Sequence, residues 1–216
     1  MKKLIYFPLF VFLSLVSCQE DDMLFGSGRA VTETRNVGNF SKVKSEGVFE
    51  VTITQGPIQS VEITADDNIM GRVKTTVVND ELRLYLKNDG YNRVTLKAKI
   101  TVPTLTGLNN SGTGSMDAKG FSEIGHFKVV NSGTGNIKID GSANSLSVYN
   151  EGTGRFRGFG FLVKDAEVKN FGSGNVEVNC SGRLDVKIEG SGNVSYKGSP
   201  TVEVDIQGSG NVVNAN

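Results

Sequence analysis

Three carboxylates recur at one position of a sequence repeat in the last third of the chain. Glu167, Asp185 and Glu203 each stand five residues before a Gly-Ser-Gly triplet. If the repeats stack as coils of a solenoid, these side chains lie about 5 Å apart on one outward face. Carboxylates so close repel one another unless a cation neutralises them, a role that Lys169 and Lys187 are expected to fill. They predict a solvated charged face, a weak site for a divalent cation or cationic ligand, or the acid and base of a polysaccharide-acting enzyme. We treat them as a candidate ligand patch.

Other chemistry-bearing residues give weaker patterns. The single histidine, His126, has no nucleophile motif around it, and Cys180 follows Val176 and Val178 in strand alternation, which predicts a buried small side chain. No helical pattern follows the glycine triplets, so they are not a dinucleotide-binding motif. The calcium-binding nonapeptide pattern is also absent, because the position that needs Asp is apolar here. We predict no catalytic residue, no metal and no cofactor.

The composition excludes some classes of protein. The chain has 216 residues, 23 Lys+Arg against 23 Asp+Glu, and 27 Gly. Zero net charge argues against a nucleic-acid partner, since such a binding surface would be basic. Glycine exceeds its usual share of roughly 7%, but it follows no Gly-X-Y period, which excludes collagen. The glycine therefore needs another structural role.

Much of the glycine lies in a repeat. Six Gly-Ser/Thr-Gly triplets follow one another at spacings of 18 to 21 residues. Positions four and six residues before each triplet, and two residues after it, are mainly apolar with polar residues between them, which is the alternation of a strand with one buried face. Each repeat is predicted to hold two short strands joined by a glycine corner. The corner glycines are Gly112, Gly114, Gly133, Gly135, Gly152, Gly154, Gly172, Gly174, Gly190, Gly192, Gly208 and Gly210.

Two arrangements of these strands fit the repeat: an antiparallel sandwich of hairpins, or a parallel solenoid with one coil per repeat. The solenoid requires equivalent positions to stack, and the column two residues before the triplet reads Asn110, Asn131, Asn150, Asn170, then isoleucine twice. Stacked asparagines form amide-to-amide hydrogen bonds at about 4.8 Å spacing. We therefore predict an all-β parallel β-helix over residues 105–216, with corner glycines that permit positive φ and close approach of backbones.

Residues 36–104 alternate less regularly. Strands are predicted near Val73–Val78, Glu81–Lys87 and Arg93–Val102, separated by turn signals, and no segment shows helical periodicity. These patterns predict an N-terminal antiparallel strand region of hairpins. Such a region would cap one end of the solenoid, which otherwise leaves an unpaired edge.

The N-terminus has the features of an export signal. Residues 1–17 are a basic start followed by an apolar run that is too short to span a membrane. The run ends Leu15-Val16-Ser17-Cys18, which resembles a bacterial lipobox and implies cleavage before Cys18 and a stable lipid anchor on its sulfur. Residues 18–35 then form a lipidated tether, whose acidic start resembles the signal that sends some Gram-negative lipoproteins to the outer face of the outer membrane.

The lipobox, the segment Val48–Gly56 and the Gly-Ser-Gly-Asn-Val repeats at Gly172, Gly190 and Gly208 together resemble a known family. It is the putative autotransporter-adhesin "head GIN domain" family of Gram-negative lipoproteins, and the resemblance covers roughly residues 37–216. It implies a right-handed, pectin-lyase-like β-helix, no established activity and a role in adhesion.

Two hypotheses about function follow. The first is a non-catalytic, lipid-anchored outer-membrane protein exposed on the cell surface, which binds a glycan or a protein on its solenoid. In this hypothesis the last coil has no polar cap and is open to pairing with a second copy. The alternative is a polysaccharide-acting enzyme that uses the outward carboxylates, but it lacks loop insertions to wall a cleft.

Overall fold

The computed structural model describes residues 23–87 and 90–216. The export signal, Cys18 with the rest of residues 18–22 of the tether, and the turn at Asn88-Asp89 lie outside the described residues. No helix in the described ranges is long and apolar enough to cross a membrane. The elements are β1 (Leu24–Phe25), β2 (Ala30–Thr34), β3 (Lys42–Ser45), β4 (Glu50–Gln55), β5 (Ser60–Asp66), α1 (Asp67–Met70), β6 (Val73–Val78), β7 (Glu81–Leu86), β8 (Tyr91–Asn92), β9 (Leu96–Val102), β10 (Gly107–Asn110), β11 (Met116–Asn131), β12 (Ile137–Asn150), β13 (Phe156–Asn170), β14 (Val176–Ile188), β15 (Val194–Lys197), β16 (Thr201–Ile206) and β17 (Val212–Asn214).

The second half is a parallel β-solenoid. β11, β12, β13 and β14 pair with one another in parallel, and equivalent repeat positions stack, as Met116 on Ile137 and Asn131 on Asn150. Each long strand bends at a second turn, where the register shifts. The parallel β-helix is confirmed, and the sandwich alternative is wrong, because one-coil repeats stack identical columns whereas hairpins would alternate strand direction.

Each coil presents two strand sides that meet at the glycine corner. The pre-triplet side consists of β7, β3, β10, the C-terminal parts of β11 to β14, and β16. The post-triplet side consists of β9, β4, the N-terminal parts of β11 to β14, and then β15 and β17. Inward side chains of both sides form one continuous core that includes Phe49, Phe127 and Phe161.

The N-terminal region continues the parallel stacking before it changes direction. β3 and β4 pair in parallel with β10 and β11, so residues 42–55 form a coil rather than a hairpin. β7 and β9 add one further parallel strand to each side. Antiparallel pairing begins with β6 on β7, β5 on β9 and β2 on β5. The division of the chain at residues 104 and 105 stays a prediction.

The corner glycines provide space between coils. The sequence predicts glycine at the corners for positive φ and for close approach of backbones. Positive φ does not apply, since none of the triplet glycines has it. A Cβ on Gly135 would lie 1.7 Å from the Gly114 carbonyl oxygen of the coil beneath. Positive φ occurs instead at the second turn, for example at Gly120 and Gly141. Glycine is therefore needed at the corner because stacked backbones approach too closely for any side chain.

Candidate binding surface

The structure brings the three predicted carboxylates together. Glu167, Asp185 and Glu203 stand in register on β13, β14 and β16, on the outward surface of the pre-triplet side. With Lys169, Arg183 and Lys187 they line a shallow depression of about 200 Å³. We call these six residues the charged face.

Every carboxylate of the charged face forms an ion pair. Arg183 bridges two strands: its Nε lies 2.6 Å from an Asp185 oxygen, and its terminal nitrogen lies 2.9 Å from a Glu203 oxygen. Lys169 Nζ lies 2.7 Å from Glu167, as expected. Lys187 does not neutralise the column and instead pairs with Glu189 at 2.6 Å. The stacked acids are therefore tolerated because an arginine that sequence reasoning missed lies between two of them.

A signal for Arg183 was present in the sequence. Arg183 and Asp185 are two residues apart, and residues i and i+2 of a strand share one face. The same spacing joins Lys169 to Glu167, Lys187 to Glu189 and Lys138 to Asp140. Pairing along each strand, in addition to pairing between coils, holds these outward side chains in place.

The ion pairs keep the cations of the charged face protonated. The hydrogen bond to Asp185, followed by the charge of that carboxylate, raises the pKa of Arg183. Hydrogen bonds to Glu167 and to the Tyr149 hydroxyl raise the pKa of Lys169. The charged face therefore presents fixed positive and negative groups at neutral pH.

The aromatic ring beside the charged face is covered. Lys128 and Lys169 lie over the ring of Tyr149, with their Nζ atoms 5.2 and 5.1 Å from its centroid. These cation–π contacts occupy the ring, so it is not a free platform for stacking on a sugar. This part of the surface therefore offers charged and hydrogen-bonding groups rather than a free aromatic face.

The described residues contain no arrangement typical of a metal centre. No group of three or more His, Cys, Asp and Glu side chains in ranges 23–87 and 90–216 could hold a metal ion. The acids of the charged face are bound by the chain's own cations, which removes the reason for expecting a divalent cation there. His126 is exposed, and its Nδ1 lies 2.8 Å from the Ser145 hydroxyl.

The predicted asparagine ladder lies inside the corner. Asn110, Asn131, Asn150 and Asn170 are fully buried in stacked positions. Asn150 Nδ2 donates to Asn170 Oδ1 at 2.9 Å, and the equivalent contact from Asn110 to Asn131 is 3.4 Å. Each amide also donates to a triplet glycine carbonyl, as Asn131 does to Gly135 at 3.1 Å. The side chains thus satisfy backbone carbonyls that would otherwise be buried without partners.

Cys180 is a structural residue. Its side chain is fully buried, and its Sγ lies 3.0 Å from the Lys164 carbonyl oxygen and 3.1 Å from that of Arg183. Burial raises the pKa of the thiol, so the reactive thiolate is disfavoured at neutral pH. This placement agrees with a small core side chain.

Comparisons with known proteins identify the architecture. The family described as "Putative auto-transporter adhesin, head GIN domain" matches residues 39–200. A structure described as a "putative adhesin" from Bacteroides fragilis has a TM-score of 0.72 at 23% identity, over 88% of this chain and 99% of that one. A "putative lipid binding protein" from Parabacteroides distasonis has a TM-score of 0.58 at 22% identity, over 90% and 100%. A "putative adhesin" from the same organism has a TM-score of 0.55 at 22% identity, over 89% and 99%. No curated protein sequence matches the chain. At these identities the structural likeness shows a shared fold.

Proposed function

Because the chain belongs to the family described as "Putative auto-transporter adhesin, head GIN domain", we propose that it is a non-catalytic adhesion protein of the cell surface. Its β-solenoid and its adhesin-like structural relatives support this role. In the proposal, lipid on Cys18 anchors the chain in the outer membrane, and the acidic residues after it direct the chain to the outer face.

The observation that carries the proposal is the charged face. Arg183 is fixed by Asp185 and Glu203 on two strands, so donors and acceptors are held at set positions on a rigid sheet. Ligand binding at this surface costs little conformational entropy of the protein side chains, because they are already ordered. A polyhydroxylated glycan, or a protein segment with charges of both signs, matches this alternation of donors and acceptors.

Binding fits this surface better than turnover does. Glycoside cleavage needs one carboxyl that acts as an acid and a second that acts as a base or nucleophile. Here Asp185 and Glu203 share one guanidinium, and Glu167 is held by Lys169. Each of these carboxylates is therefore held by a cation of the chain itself, and none is left free to face a substrate as the acid or the base.

A glycan array tests the proposed ligand face. We expect the wild-type protein to bind a subset of glycans, and Glu167→Gln, Asp185→Asn and Glu203→Gln together to lower that affinity at least tenfold, because Arg183 loses both anionic partners. The matched control is Asp117→Asn with Glu177→Gln on the post-triplet side, which should bind as wild type does. If the triple variant bound glycans as tightly as the wild type, the charged face would not be the binding site. Analysis of the bound glycans for cleavage products would reveal an enzyme.

The anchor is tested separately in cells. We expect cells to incorporate a fatty-acid analogue into the wild-type protein. We also expect protease added to intact cells to remove the solenoid from their surface. Cys18→Ala should abolish the label because it removes the acylated sulfur, whereas Ser17→Ala keeps a small residue before the cysteine and should retain it. A label that survives Cys18→Ala would refute the lipid anchor.

A further inference from the structure

The last coil of the solenoid exposes core positions. Val204 and Ile206 on β16 are 44% and 43% exposed, whereas the residues beneath them on β14, Val186 and Ile188, are 3% and 0% exposed. Within the described residues β16 pairs with β14 and β17 pairs with β15, and no strand covers their far edges. The stacked inward side chains of the core therefore end at a surface that no described residue covers.

The backbone at this end has a defined bonding direction. Gln207 N–H donates to the Ile188 carbonyl, and Ala215 N–H donates to the Tyr196 carbonyl, so these residues bond back into the solenoid. Because adjacent residues of a strand bond to opposite sides, the N–H and C=O groups of Ile206 and Val212 point outward. The same alternation leaves outward groups at Val204 and Asn214. The inward-facing apolar residues of β16 therefore also carry its free hydrogen-bonding groups.

We propose that a second copy of this chain covers the end, about a two-fold axis through the Ser209 corner. Ile206 and Val212 each stand three residues from Ser209, on strands that run toward and away from the corner. A two-fold rotation through the corner therefore sets β16 of one copy antiparallel to β17 of the other, twice.

The register follows from this symmetry. Ile206 lies opposite the partner's Val212, and Val204 lies opposite the partner's Asn214. Each of these residues directs its N–H and C=O groups away from its own solenoid, so both pairs are hydrogen-bonded pairs of an antiparallel ladder. Exposed core positions of one copy then continue the core of the other.

The charges favour this register over the simpler pairing of β16 with itself. In the proposed register Asp205 lies opposite the partner's Val213, and Glu203 lies opposite the partner's Ala215. Pairing β16 with a second β16 would set Glu203 opposite the partner's Glu203 or the partner's Asp205. Like charges directly opposite one another destabilise a strand pair.

The size of the end predicts a reversible dimer. The end of a solenoid of this coil length buries on the order of 500 Å² per copy, or about 1,000 Å² in total, at the lower limit for a stable interface. Association should therefore depend on concentration. The inference does not rest on the adhesion role, since it concerns the free backbone edge and the inward side chains of β16, whereas the charged face uses the outward side chain of Glu203 on that strand.

Sedimentation velocity tests the dimer. The purified protein should pass from monomer to dimer between roughly 1 and 500 μM, the range expected for an interface of this size. Val204→Lys should move the transition at least tenfold higher in concentration. Val78→Lys is the matched control, because Val78 is a comparably exposed valine (49%) on β6 at the other end of the solenoid. A monomer at every concentration would overturn the proposal.

Two further variants keep the test independent of folding. Asn214→Pro removes an N–H that bonds only across the interface, so it should block the dimer without changing the thermal unfolding midpoint. Ser209→Cys should form a disulfide-linked dimer under mild oxidation, whereas Ser173→Cys, two coils further in, should not. A dimer without the Ser209→Cys cross-link would disprove the two-fold axis at this corner.

Discussion

Gly135→Ala is expected to lower the free energy of unfolding by about 3 kcal/mol or more. The added Cβ would stand 1.7 Å from the Gly114 carbonyl oxygen and 2.7 Å from Asn110 Nδ2. Neither atom can move freely, because Gly114 belongs to the coil beneath and Asn110 is buried in the corner. The two coils would have to separate locally, which breaks hydrogen bonds and core contacts on both sides. Urea unfolding followed by circular dichroism measures the loss.

Gly125→Ala is the matched control for this prediction. No atom lies within 4 Å of a Cβ placed on Gly125, and its φ is not in the left-handed region. We expect this variant to change stability by less than about 0.5 kcal/mol, as surface substitutions do. If both variants lost the same small amount, close stacking would not explain the corner glycines.

Asn170→Ala is expected to cost about 2 to 4 kcal/mol, because it removes buried hydrogen bonds and leaves a small cavity. Asn170 Nδ2 donates to the carbonyls of Gly174 and Gly192 at 3.0 and 2.9 Å, and its Oδ1 accepts from Asn150. The loss is measured by urea unfolding.

Asn170→Leu separates hydrogen bonding from packing, since the next coil carries the buried Ile188 at this position. Filling the volume should recover only part of the loss, because the Gly192 carbonyl still lacks its donor. Asn175→Ala, at a half-buried site outside the core, is the control and should cost less than about 1 kcal/mol. Full recovery by leucine would mean that the ladder acts through packing alone.

The stacked architecture was predictable because a parallel solenoid repeats its environment once per coil. Each position of the repeat occurs once per coil in the same environment. The apolar positions at Val168, Val186 and their equivalents therefore predict which residues stack on one another. The same redundancy was missing before residue 105. β3 and β4 carry no Gly-Ser-Gly triplet, since their corner reads Glu46-Gly47-Val48, and their parallel stacking on β10 and β11 was assigned to hairpins instead.

The ion-pair partners within the charged face could not be predicted from the sequence alone. The sequence places Glu167, Asp185 and Glu203 in one column, but the partner of each carboxylate depends on side-chain reach. Lys187 turns to Glu189 on its own strand, while Arg183 extends its planar group between two strands. Arginine offers several donors in a fixed fork and can contact two carboxylates at once, which lysine does less well.

By itself the sequence determined the period, the buried columns and the position of the six triplet corners, because alternation and spacing are local properties of the chain. The tertiary structure alone decided that close approach of coils, and not positive φ, requires glycine at those corners, that Arg183 neutralises two of the acids, and which strand edges remain open at the last coil. These depend on distances between coils, from Gly135, where an added Cβ would stand 1.7 Å from the Gly114 carbonyl oxygen, to the open edge at Ile206, and no single coil contains them.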